Sequence, residues 1–131
     1  MAVNGGDASA PAIWSLGAEL ETALKVAELW KERFGEECAV VNARFLKPFD
    51  TELARRLSAR PFISIEDGAR CGGLFSALAE ALAEVPGARV LPFCWPDRVL
   101  PHGSPRDLRA GFGLSAEDIF LRAARELVKD R

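Results

Sequence analysis

The sequence predicts an α/β domain built on a largely parallel sheet, and three observations carry that prediction. Short apolar or β-branched runs alternate along the chain with segments of helical periodicity. One run, Pro61 to Ile65 (PFISI), is apolar almost throughout, as a strand covered on both faces must be. The 131 residues, 49% hydrophobic and 27% charged, are enough for one domain with a real core.

The elements follow in order. Residues 1–11 read as a linker or the edge of a longer chain, and residues 12–131 as the domain. Ala12 to Leu16 (AIWSL) is a first strand that ends at Gly17. From Glu19 to Phe34, Leu20, Ala23, Leu24, Ala27 and Trp30 recur at helical spacing and predict one apolar stripe. Gly35 stops that helix. Cys38 to Phe45 is a second strand, closed by Lys47-Pro48-Phe49. Asp50 is a natural N-cap for a helix reaching about Ala59. PFISI follows as the third strand, then a loop, Glu66 to Gly73. A helix from about Leu74 to Glu84 ends at Pro86-Gly87. Arg89 to Cys94 is a fourth strand, and Pro92 marks it for an edge position or a strand end. Ser104-Pro105 opens a short helix, and Ser115 with Asp118 caps the last one, Ala116 to about Lys129.

Composition removes several classes of function. Lys+Arg number 17 and Asp+Glu 19, a net charge of −2, so the clustered cationic excess of a nucleic-acid surface is missing. No apolar run approaches the roughly 20 residues of a membrane-spanning helix. The opening residues MAVNGGDASAPA lack the basic-then-apolar order of a secretory signal. Cys38, Cys71 and Cys94 form no CxxC pair, and His102 is the only histidine, which leaves a Cys/His metal site without support. The thiols are expected to be buried and reduced, as in a cytosolic protein.

Two loops hold the candidate site residues. The first, with Glu66, Arg70, Gly72 and Gly73, joins a strand to a helix at the sheet edge where α/β folds bind ligands. Its glycines allow close backbone approach and free amides at a helix start. They do not spell GxGxxG or a P-loop, and Glu66-Asp67 would repel a phosphate. Glycines serving a tight strand–helix turn are the simpler reading. The second loop, WPDRVLPHG (95–103), holds Asp97, Arg98 and His102 among prolines. A histidine and a carboxylate at this spacing can work as an acid/base pair, yet no nucleophile motif accompanies them. Asp97 and Arg98 are expected to fix the loop by ion pairing, with His102 bonded to backbone. Trp14, Trp30 and Trp95 read as packing residues.

Four segments together carry a resemblance: VNARFLKPFD up to Asp50, ISIEDGARCGG (63–73), WPDRVLPHG (95–103) and GLSAEDIF (113–120). In this order they resemble the C-terminal domain of transketolases, and within that family of 1-deoxy-D-xylulose-5-phosphate synthases. The resemblance implies a three-layer α/β/α fold with a five-stranded, mostly parallel sheet carrying one antiparallel strand. It also implies that thiamine diphosphate and Mg²⁺ belong to the complete enzyme and sit between its diphosphate- and pyrimidine-binding domains. The GDG…Asn motif of the former is missing here; Gly6-Asp7 and Asp67-Gly68 lack the rest of it. This chain is therefore expected to bind no cofactor, to hold no catalytic or metal-binding residue, and to be inactive alone. Its expected partners are those N-terminal domains and further copies in a cytoplasmic homo-oligomer, with no nucleic acid and no membrane. Two alternatives stand beside this one. The first is the corresponding domain of a 2-oxoacid dehydrogenase β-subunit. The second is a free-standing regulatory module that binds a phosphorylated metabolite at Arg70, Gly72, Gly73 and His102.

Overall fold

The computed structural model describes residues 2–4, 7–43, 49–66, 73–94 and 115–128. Their strands are β1 (Ala2–Asn4), β2 (Ala12–Leu16), β3 (Ala39–Asn42), β4 (Phe62–Glu66) and β5 (Val90–Cys94). The helices are α1 (Leu20–Phe34), α2 (Thr51–Arg56), α3 (Gly73–Ala81) and α4 (Ala116–Val128). The strands lie in the order β1-β3-β2-β4-β5. The four from β2 to β5 are parallel, and the three-residue β1 runs antiparallel along β3.

Strand alternation sends successive side chains to opposite faces, and each face has its own core. Ile13, Val40, Ile63, Ile65 and Phe93 meet α1 and α4 through Val26, Trp30, Ile119 and Ala123. Trp14, Val41 and Phe62 meet α2 and α3 through Leu53, Ala54, Leu74 and Leu78. Three layers result, with β4 buried along its whole length. Trp14 and Trp30 are both fully buried, as expected of packing residues. Trp14 lies with its ring centroid 5.6 Å from both Phe49 and Phe62. Its Nε1 and the neighbouring Ser64 Oγ are buried, with no hydrogen-bond partner among the described residues.

The local signals act as their chemistry requires. Gly35 takes φ 69° and donates its N–H to the Lys31 carbonyl, which ends α1. Asp50 Oδ1 accepts from the Leu53 amide at 3.0 Å and starts α2. Ser115 Oγ accepts from the Asp118 amide at 3.1 Å and donates to Asp118 Oδ2 at 2.7 Å, which starts α4. Among the described residues β5 is an edge strand, the position where the missing N–H of Pro92 is tolerated.

Three expectations need correcting. Residues 1–11 are not all linker, because Ala2–Asn4 pairs with β3. A three-residue strand has no period of its own, and only β3 beside it gives it shape. Beyond it, Asp7 and Glu37 tie the segment down with two bonds, Asp7 N–H to the Glu37 carbonyl and Glu37 N–H to Asp7 Oδ2. The α1 stripe also differs, since Leu24 is 42% exposed and Val26 takes the core position. Ala23, Val26 and Trp30 set the buried line, and Leu24 lies one residue, about 100°, round the helix from Ala23. The third correction is chemical. Cys94 is disulfide-bonded rather than reduced, while Cys38 is free and buried. Spacing along the chain does not reveal which cysteines the fold pairs. The short helix at Ser104-Pro105 lies outside the described residues.

Burial pushes the Cys38 thiol up to about 12 from an ordinary 9.0, and the Glu36 and Glu37 charges add to the effect. The folded chain therefore holds this proton where the unfolded chain releases it. Its stabilising effect is fully present below pH 9.0 and falls as pH rises toward about 12. Cys38 should resist iodoacetamide at pH 8 in the folded protein and react once guanidinium unfolds it, as read by mass spectrometry. Fast labelling of the folded chain would contradict this burial.

Candidate functional site at the sheet edge

β4 ends at Glu66, and its register places Glu66 between Leu16 of β2 and Cys94 of β5. The starting points of both candidate loops, after Glu66 and after Cys94, are thus neighbours at the C-terminal sheet edge. This is the edge where parallel sheets gather their ligands. Gly17 turns the chain out of β2 at the same edge with φ 75°.

Glu66 is only 1% exposed, and its carboxylate reaches the first turn of α3. Oε1 accepts from the Leu74 amide and Oε2 from the Phe75 amide, each at 3.1 Å. A helix start leaves its first amides unbonded and carries roughly half a positive charge. One buried carboxylate answers both demands. These are the groups that would otherwise receive a phosphate. With both oxygens committed, Glu66 is a clamp between strand and helix, and not a free base.

Of the residues singled out in the sequence, Glu66 and Gly73 come together here, since Gly73 opens the helix that Glu66 caps. Arg70, Gly72, Asp97, Arg98 and His102 lie outside the described residues. The capping role itself was missed, because donor and acceptor are too far apart in sequence for any local capping box. A usable signal exists all the same: an acid ending a buried strand just before a glycine turn that opens a helix.

Glu66→Ala should lower stability by about 2 kcal/mol, the scale of buried hydrogen bonds to a charged group. Glu66→Gln, which keeps an acceptor, should lose less. Urea unfolding followed by circular dichroism measures both. An alanine variant as stable as the parent would remove the clamp from the account.

Comparison with known proteins bears on the family and the fold. Residues 9–119 match the family model described as transketolase, C-terminal domain. The 1-deoxy-D-xylulose-5-phosphate synthase of Rippkaea orientalis is 41% identical over 113 residues, covering 82% of this chain and 17% of the relative. That of Acidobacterium capsulatum is 38% identical over 121 residues, covering 90% of this chain and 19% of the relative. The chain thus spans less than a fifth of the length of these curated relatives. Among solved structures, a protein titled "Split gene transketolase, inactive beta4 tetramer" superposes with a TM-score of 0.81 at 26% identity, over 100% of this chain and 43% of that one. The chain belongs to the transketolase C-terminal domain family.

Proposed function

We propose that this chain is the C-terminal domain of a thiamine-diphosphate-dependent enzyme most like 1-deoxy-D-xylulose-5-phosphate synthase, and that it supplies packing and subunit contacts rather than chemistry. The observation that carries this reading is the pair of synthases whose sequences this chain matches at 41% and 38% identity over a small part of their length. The same relatives favour the synthase over a 2-oxoacid dehydrogenase β-subunit.

The described residues do not fit thiamine diphosphate. A diphosphate at this sheet edge would need the α3 amides, and the Glu66 carboxylate already occupies them. No step of the two-carbon transfer is assigned to this chain. The cofactor and Mg²⁺ belong, in this reading, to the diphosphate- and pyrimidine-binding domains that would be its partners in a cytoplasmic homo-oligomer. The same clamp argues against a regulatory phosphate site at the helix start. Among the described residues no helix is long and apolar enough to cross a membrane.

A chimera tests the proposal. The matching segment of the Rippkaea orientalis synthase is replaced by this chain, and a second version carries no replacement. The chimera should keep synthase turnover within about tenfold, and the deletion should lose assembly on size-exclusion chromatography. A deletion that assembles and turns over normally would refute the packing role. Calorimetric titration of the isolated chain with thiamine diphosphate and Mg²⁺ should give no heat of binding. Micromolar affinity would refute the non-catalytic reading.

A further inference from the structure

The helices α1 and α4 lie side by side with their N-terminal ends together. The first groove between them is lined by Glu21, Leu24 and Glu28 of α1 and Glu117 of α4. The second, at their C-terminal ends, is lined by Arg33 and Phe34 of α1 and Leu121 and Arg125 of α4. The charged residues that line the first groove are three acids and Lys25, and those that line the second are Arg33 and Arg125 among apolar neighbours. Lys25 pairs with Glu28 at 3.9 Å, so those two charges offset each other and Glu21 and Glu117 give the groove its net negative charge. Among the described residues, the exposed large hydrophobics are Leu24 at 42% and Leu121 at 63%, both on this layer.

We propose that this face binds a second copy of the chain through a two-fold axis perpendicular to the helices. The rotation turns the face end for end, so the acidic groove of each copy meets the arginine groove of the other. It also brings Leu24 of one copy toward Leu121 of the other. The surface is complementary to itself: charges of opposite sign and exposed apolar side chains match under one operation. This deepens the homo-oligomer in the proposed function by naming its surface, and it rests on that reading only for its place in a larger enzyme.

The area sets the strength. Helices of 15 and 13 residues offer a face about 20 Å long and about 20 Å wide. That is roughly 400 Å² per copy, about half of the 800 Å² typical of a stable complex. The contact made by this chain alone is accordingly weak, dependent on concentration and sensitive to salt.

Sedimentation velocity of the 131-residue chain over a range of concentrations tests the assignment. Dimer should accumulate with concentration at 50 mM salt and recede at 500 mM. Leu121→Asp should abolish it, and Arg125→Glu should weaken it by about tenfold. Combining Arg125→Glu with Glu28→Arg should recover much of the lost association. Every substituted residue lies on the surface, and circular dichroism verifies that each variant folds. A chain that stays monomeric to millimolar concentration at low salt would overturn the proposal. So would a dimer indifferent to these substitutions. Neither result bears on the chimera, whose turnover tests the family role independently.

Discussion

The carboxylate of Glu66 joins the end of β4 to the first turn of α3, and the C-terminal edge of the sheet is organised around that contact. β4 is the strand between β2 and β5, so its end is fixed from both sides before the carboxylate is placed. A buried acid in such a position is costly unless it is bonded. Two amides at a positive helix end supply the bonds, and the same contact sets where α3 begins. Leu74 and Leu78 then fall on the second core, against Phe62. One interaction thus fixes a register, a helix start and a packing surface together.

The same contact takes up the helix start that such a sheet edge offers. Parallel sheets gather helix N-termini and glycine turns at one edge, and many proteins use such a place to hold an anion. Here the chain supplies its own anion. The two apolar cores, one around Trp30 and one around Trp14, account for the rest of the cohesion. Ring contacts of Phe120 with Trp30 at 6.0 Å and with Phe34 at 6.2 Å hold α1 to α4.

Much of this was legible in the sequence because it depends on neighbours along the chain. Asp50, Gly35 and the Ser115–Asp118 pair act within one helical turn, so residue type and spacing suffice. The two-sided burial of PFISI and the edge position of Pro92 follow from composition and from the missing N–H. What stayed hidden depends on pairs that only the fold brings together. Glu66 was visible as an acid beside a glycine loop, where it looked like an obstacle to phosphate. That it fills the anion site itself requires knowing that α3 folds back over the end of β4. The strand Ala2–Asn4 needed β3 beside it. The period that Leu24 shares with Leu20 and Ala27 points it to the core; which line of α1 lies deepest depends on where Trp30 seats.

The measurement that bears most directly on the clamp is amide hydrogen exchange at Leu74 and Phe75, read by nuclear magnetic resonance. First-turn amides of a helix have no intrahelical acceptor and exchange readily unless something else bonds them. In the parent chain both should exchange at least about tenfold more slowly than unbonded amides. In Glu66→Ala both should lose that protection while the amides of β4 keep theirs. Fast exchange at Leu74 and Phe75 in the parent chain, or unchanged protection after the substitution, would contradict the central claim.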